Sequence, residues 1–198
     1  MPLLTEHLRR RRYAMVEPFL RGKVLDIGCG NAATALSLES VQRYVGIDYR
    51  PTLVAHQREQ FPQHEFYVCD VDHEPLPLRE MRFDTVLMAA IIEHLANPGW
   101  VLDQVTGHLR PEGRLVITTP TPRGERVHWL GVRVGLFHPH AAEEHKGAYD
   151  RQCLEGLLAA HGFSVVQYRP FELGANQLVV CRPADATHSQ SMQQGAKQ

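Results

Sequence analysis

An α/β fold, with a mostly parallel sheet and helices on both of its faces, follows from three features of this sequence. Short apolar runs alternate with helix-compatible stretches along most of the chain, the pattern of strand–helix–strand units with parallel strands. Val24-Leu25-Asp26-Ile27-Gly28-Cys29-Gly30 runs from a strand into a glycine turn, and Ala-Thr-Ala-Leu-Ser-Leu then opens a helix. Glycine has no Cβ, so such a turn lets a ligand approach the backbone. A second acid, Asp48, ends the run Arg43-Tyr44-Val45-Gly46-Ile47, at the spacing of about twenty residues that holds ribose hydroxyls in dinucleotide folds.

Residues 3 to about 20 form the first helix, with Leu3, Leu4, Leu8, Met15, Val16 and Phe19 apolar. Strand one is 23–27, and a helix over 32–39 follows the glycine turn. Strand two is 43–47. Pro51 opens a helix to residue 61, at a position where its missing N–H is no loss. Strand three is 65–69 and strand four 83–89. Pro98 opens a helix to residue 109, Gly113 marks the turn after it, and strand five is 114–118. A helix over 150–161 closes on Gly162 as its C-cap. Strands at 163–168 and 177–181 complete the series. Right-handed crossovers bring the carboxyl ends of strands one to four to one edge, where the ligand belongs.

Residues 119–149 break the alternation. They hold Pro120, Pro122, Gly124, Gly131, Gly135 and Pro139, with Trp129, Phe137, His128, His138, His140 and His145. A loop this long in a compact domain is usually functional or disordered, and its aromatic content argues against disorder. It is read as a substrate-cap insertion in a single domain of residues 1–182. Residues 183–198, rich in Ala, Ser and Gln, are expected to form a disordered tail.

Composition excludes several classes. Apolar content of 43% and charged content of 22% are those of a globular protein. A net charge of −1 gives no case for a nucleic-acid partner. The run Arg9-Arg10-Arg11-Arg12 reads as a solvated helix face with one functional member. No apolar stretch approaches a membrane span, and the N-terminus lacks the apolar region of a secretory signal. Cys29, Cys69, Cys153 and Cys181 form no C-x-x-C pair and read as reduced thiols of a cytoplasmic protein. Oligomeric state is not legible.

Asp26 is the unusual residue of the turn. A turn facing a pyrophosphate has no use for a carboxylate, whereas a ligand with an ammonium group does. Asp26 with Asp48 therefore suggests a ligand carrying both an amino group and a ribose. S-adenosylmethionine carries both. Further along come Cys69-Asp70-Val71, Glu74-Pro75-Leu76-Pro77-Leu78, Phe83-Asp84-Thr85-Val86, Ile92-Glu93-His94-Leu95 and Leu109-Arg110-Pro111-Glu112-Gly113-Arg114-Leu115. In that order these motifs resemble the class I S-adenosylmethionine-dependent methyltransferases, of the small-molecule, type 11/23-like kind, over residues 7 to 182. Gly28, Gly30 and Ala33 also fit the G-x-G-x-x-A pattern of NAD-binding turns. Asp26, Glu93-His94 and the segment from Arg110 to Gly113 favour the methyl donor. Ala32 departs from the glycine that the family often has there.

The resemblance implies a seven-stranded sheet with the last strand antiparallel, and a donor site. In it Asp26 holds the methionine amino group, and Gly28 and Gly30 give the backbone approach. Asp48 accepts from the ribose hydroxyls, and Tyr49 lines the adenosine. Asp70 meets the adenine amino group, with a backbone N–H from Val71. Met88, Ala89 and Ala90 sit beneath the methionine and sulfonium. The Arg12-Tyr13 pair suggests Arg12 for the methionine carboxylate, because a guanidinium can grip it with two bonds. His145 is the candidate general base. His138, His140, Glu143 and His145 match no metal-site spacing, so no metal is expected. Strand four leads into Met88-Ala89-Ala90-Ile91 rather than an Asn/Asp-Pro-Pro-Tyr signature, and Glu93 lacks the second acid of a paired-glutamate loop. A small-molecule or glycan/lipid-intermediate acceptor is thus expected. A non-catalytic subunit or sensor that binds the donor is the alternative.

Overall fold

The computed structural model describes residues 3–31, 39–125 and 149–184, with side chains from Arg9 onward. Helix α1 (Leu3–Val16) leads to β1 (Gly22–Ile27). Strand β2 (Val41–Asp48), helix α2 (Pro51–Gln60), strand β3 (Glu65–Val68) and strand β4 (Phe83–Ala89) follow. Then come α3 (Pro98–His108), β5 (Leu109–Pro120), α4 (Arg151–Ala160), β6 (Phe163–Phe171) and β7 (Asn176–Pro183). The strands form one seven-stranded sheet in the order β3-β2-β1-β4-β5-β7-β6. Only β7 runs antiparallel to its neighbours, β5 and β6, as the resemblance implies. The chain reverses direction across the sheet at β1 and β4, which makes that edge the ligand-binding crevice.

Several boundaries moved for physical reasons. The first helix stops at Val16 and gives way to a 3₁₀ turn at Glu17–Phe19, because Pro18 has no N–H to continue the ladder. Strand β5 begins at Leu109, earlier than the sequence suggested, and Gly113 lies inside it rather than in a turn before it. Phe83 pairs Leu109 while Thr85 already pairs Arg114, so residues 110–113 bulge out of the ladder. Pro183 closes β7 and Ala184 N–H donates to Gly162 O at 2.8 Å, so the expected tail starts later. Its remaining residues, the helix expected at 32–39 up to residue 38, and cap residues 126–148 with His145 lie outside the described residues. Helix α4 starts where Asp150 accepts from Cys153 N–H at 2.8 Å, an N-cap. It ends before Gly162 at φ 78°.

Alternation along the strands sorts the core into two layers. Leu25, Ile27, Val45, Ile47, Val86 and Met88 face α3 and α4, where they meet Val101, Leu102, Val105, Leu154 and Leu158. Val24, Tyr44, Leu87 and Val116 face the other way, against Val16 of α1 and Val54 of α2. Asp26 has the parity of Val24, so its carboxylate enters the α1 side of the sheet. Tyr13 and Met15 of α1 pack against this layer.

The residues that flank the stretch expected to form a cap are pinned at one point. Gln177, fully buried at the start of β7, donates through Nε2 to Tyr149 O at 2.6 Å and Pro120 O at 3.4 Å. Thr121 adds a hydroxyl bond to Gly174 O at 2.7 Å. That stretch therefore leaves and re-enters at the carboxyl end of β5, on the crevice edge.

Candidate functional site

A cleft of about 440 Å³ opens at the carboxyl ends of β1 to β4. Gly28, Ile47, Asp48 and Tyr49 form one wall, Cys69, Asp70, Val71, Asp72 and His73 another, and Ile91, His94 and Leu95 the third. Gly28, Asp48, Tyr49, Asp70 and Val71, all expected at the site, are thus brought together. Gly28 has φ 72°, and a Cβ on it would lie 2.9 Å from the Ile91 side chain. Its N–H and that of Cys29 both donate to Ile47 O, at 2.8 and 2.9 Å, which ties the turn to β2.

Asp48 closes the turn from the other side. Its Oδ2 accepts from Gly30 N–H at 3.1 Å, and Arg50 grips both of its oxygens. Burial works to raise the carboxyl's pKa, but the Arg50 side-chain and backbone bonds outweigh it and hold it below the usual carboxylate range. Asp48 is therefore an acceptor at any physiological pH.

Asp70 is exposed. Its Oδ2 meets His73 Nδ1 at 3.0 Å and its Oδ1 accepts from Asp72 N–H at 3.2 Å. Asp72 in turn accepts from Ala96 and Asn97 N–H at 2.9 to 3.0 Å. This joins the β3 loop to the start of α3, where Asn97 makes no side-chain cap. The loop after β4 is held by Glu93, whose Oε2 accepts from the Thr119 hydroxyl at 2.9 Å. Glu93 is buried and orders the loop rather than facing the cleft.

Asp26, Arg12 and Gly30, also expected at the site, are not among the residues that line the cleft. Asp26 is 1% exposed. Its Oδ2 accepts from the Tyr44 hydroxyl at 2.6 Å. Its Oδ1 is buried without a partner among the described residues, and so is Arg12 Nε. Burial pushes the Asp26 carboxyl up to about 7, the Tyr44 bond pulls it down and Asp48 raises it. Burial also raises Tyr13 far above its ordinary range, with Asp26 adding to it. One buried acceptor and one buried cationic donor without partners are what an amino-acid zwitterion would satisfy. The residues present therefore fit the methionine end of the donor.

Met88, Ala89 and Ala90 do not line the cleft. Met88 is fully buried in the α3/α4 layer. Ala90 holds φ 56° and donates to Thr118 O at 2.8 Å, a left-handed conformation that turns the chain sharply after β4. All four cysteines are free. Burial raises Cys69 to about 11 and Cys181 to about 12, so neither is a thiolate nucleophile at neutral pH. Among the described residues no group of three or more His, Cys, Asp or Glu could hold a metal. No helix among them is long and apolar enough to cross a membrane.

Asp72, His73, Ile91, His94 and Leu95 line the cleft without having been expected there, and Tyr44 and Arg50 hold Asp26 and Asp48 from outside it. Tyr44 was within reach: parallel pairing of β1 and β2 sets Val24 opposite Tyr44 and Asp26 opposite Gly46. The tyrosine thus shares Asp26's face one pair away. A Cβ at Gly46 would lie 2.8 Å from the Phe66 ring and 2.9 Å from Cys29 Sγ, so the position beside Asp26 stays bare. Tyr44→Phe keeps the ring packing and removes the hydroxyl. A hydrogen bond to a charged group contributes roughly 1.5–3 kcal/mol. The pH midpoint of donor binding should rise by about one to two units, at ~1.4 kcal/mol per unit. Affinity should recover above that midpoint. Titrations at several pH values check this, and an unmoved midpoint would exclude Tyr44 from positioning Asp26.

A family model described as methyltransferase domain matches residues 4–168. A Mycolicibacterium smegmatis protein named as an S-adenosylmethionine-dependent methyltransferase is 33% identical over 146 residues, covering 72% of this chain and 52% of that protein. A tRNA U34 carboxymethyltransferase from Citrifermentans bemidjiense is 28% identical over 118 residues, 56% of this chain and 36% of its own length. This chain thus spans about half or less of these two relatives. Among solved structures, the complex of the Haloferax volcanii Trm112 methyltransferase activator with its methyltransferase is similar at TM-score 0.70. That match has 17% identity and covers 90% of this chain and 89% of that one.

Proposed function

This chain belongs to the class I S-adenosylmethionine-dependent methyltransferases, and we propose that it moves the sulfonium methyl of S-adenosylmethionine to a small-molecule or glycan/lipid-intermediate acceptor. The observation that carries the reading is the set of unpartnered or ligand-facing polar atoms. Asp26 Oδ1 and Arg12 Nε are buried and unpaired, and Asp48, Tyr49 and Asp70 line the adjoining cleft. In this reading Asp26 and Arg12 would take the ammonium and carboxylate, Asp48 the ribose, and Tyr49 and Asp70 the adenosine.

The donor supplies a methyl group already activated by positive sulfur. In the transfer the acceptor's lone pair forms a bond to the methyl carbon as the C–S bond breaks. The bonding pair stays on sulfur, leaving S-adenosylhomocysteine, and any acceptor proton passes to a base or to solvent. The chain's own work is positioning and exclusion of water. Asp26 and Arg12 hold the amino-acid end, Asp48 the ribose, and Asp70 with the Val71 N–H the adenine. The insertion 119–149 is proposed as the cap that excludes water, and His145 as the acceptor-side base. Reduced, mostly buried cysteines suit a cytoplasmic setting.

A second acceptor class rests on one observation, the matches to tRNA U34 carboxymethyltransferases. A formal charge of −1 argues against it, because polynucleotide binding draws on clustered cations. Methyl-labelled S-adenosylmethionine is incubated with the protein and either a fractionated metabolite extract or bulk tRNA. Label in the small-molecule fraction is expected. Label in tRNA would overturn the acceptor class. Donor binding with no label in either arm would favour the non-catalytic subunit.

A further inference from the structure

Asp48 has no acceptor site left for a ribose. A carboxylate offers about four lone-pair positions, and all four are taken here. Oδ1 accepts from the Arg50 N–H at 3.1 Å and from Arg50 Nε at 2.9 Å. Oδ2 accepts from Arg50 Nη2 at 3.0 Å and from Gly30 N–H at 3.1 Å. The two backbone bonds belong to the fold of the turn. The two guanidinium bonds come from one side chain, and they occupy the places that two ribose hydroxyls would take.

We propose that Arg50 is an internal competitor for the donor's ribose: its guanidinium mimics the diol on Asp48, and the donor binds as Arg50 swings away. The proposal rests on the donor site described above and adds a determinant of its affinity. The side chain is free to leave. Arg50 is 49% exposed while Asp48 is 3% exposed, so the cation gives up little packing when it moves and the acid stays in place. A landing position exists beside it, because the Arg50 Cζ already lies 5.6 Å from the centroid of the Tyr49 ring, within cation–π reach. Tyr49 is exposed and lines the cleft. Arg50 can therefore release Asp48 while staying beside the aromatic ring expected to line the adenosine. A ligand without a diol leaves Arg50 where it is. A ligand with one exchanges two guanidinium bonds for two hydroxyl bonds.

The test is a double-mutant cycle read by calorimetric titration with S-adenosylhomocysteine. Wild type, Arg50→Ala, Asp48→Ala and the double variant are compared, with thermal melts to establish that each is folded. Arg50→Ala removes the competitor and should bind about fivefold more tightly, the upper range for a partly exposed ion pair. Arg50→Gln, which keeps a polar side chain but is shorter, uncharged and unable to fork onto a carboxylate, should behave in the same direction. In the Asp48→Ala background, Arg50→Ala should change nothing, because the competition runs through that carboxylate. Weaker binding by Arg50→Ala would make Arg50 a ligand group and overturn the proposal. An unchanged affinity, or an effect that persists without Asp48, would overturn it too, while leaving the donor site standing. No binding by any of the four folded proteins would remove the donor site and the competitor together.

Discussion

Asp26→Asn should weaken donor binding by at least about a hundredfold while making the free protein more stable above neutral pH. The two effects have one cause. The Asp26 carboxyl is buried and its pKa is raised from 3.8 to about 7. Between those values the folded state binds the proton that the unfolded state releases. As far as this group is concerned, stability is fully present below about pH 4 and is lost as pH rises towards 7. The difference is about 4 kcal/mol, at ~1.4 kcal/mol per unit. Asparagine is neutral throughout and removes that slope. It can still accept from the Tyr44 hydroxyl with its amide oxygen. Its NH₂ then stands where Oδ1 stood and faces an incoming ammonium, donor against donor. Affinity should fall by at least about a hundredfold, from the loss of a charge-assisted bond and of a buried counter-charge. Denaturant melts at pH 5 to 8 should fall with pH for wild type and stay flatter for the variant. The same titration predicts that wild-type affinity drops below about pH 7, where the ligand must displace a proton from Asp26. A wild-type melt profile with no such slope would show that Asp26 is ionised in the free protein.

Asp48→Ala should weaken donor binding by at least about tenfold. Hydroxyl bonds to an ionised acceptor contribute roughly 1.5–3 kcal/mol each. Displacing Arg50 returns about 1 kcal/mol of that, and what remains still exceeds the ~1.4 kcal/mol of a tenfold change. The fold does not escape unaffected. Asp48 is buried and bonded to Gly30 N–H, so its removal frees the glycine turn as well as the ribose site. Asp48→Asn separates the two effects. It keeps an oxygen for Gly30 N–H, loses the charge that holds Arg50 and the diol, and should retain more stability than alanine with the same loss of affinity. Equal affinity in wild type and both variants would take Asp48 out of the site.

Most of the fold was legible because it rests on local signals. Strand-end acids, Pro51 and Pro98 at helix starts and Gly162 after α4 each act within a few residues. Alternation of strands and helices then leaves few ways to pair them. What escaped depends on contacts far apart in sequence. Gln177 bridges Pro120 and Tyr149, and nothing local to any of the three announces it. Glu93 reaches Thr119 across the sheet edge. The bulge at 110–113 is set by where Phe83 and Thr85 must pair, so Gly113 looked like a turn and is part of a strand. The site divided along the same line. Gly28, Asp48, Tyr49, Asp70 and Val71 lie at or just past strand ends and were named from motif order and spacing, whereas Asp72, His73, Ile91, His94 and Leu95, which also line the cleft, were not. The partners that tune them, Tyr44 for Asp26 and Arg50 for Asp48, follow from strand register and rotamer.

The β1 and β2 acids are proposed to bind an aminoacyl nucleoside. Calorimetric titration of the intact chain with S-adenosylmethionine, S-adenosylhomocysteine and NAD at pH 8 tests it most directly. Saturable one-to-one binding of the two sulfur ligands, weaker at pH 6, is expected, with no binding of NAD. Saturable NAD binding with no response to either sulfur ligand would contradict it.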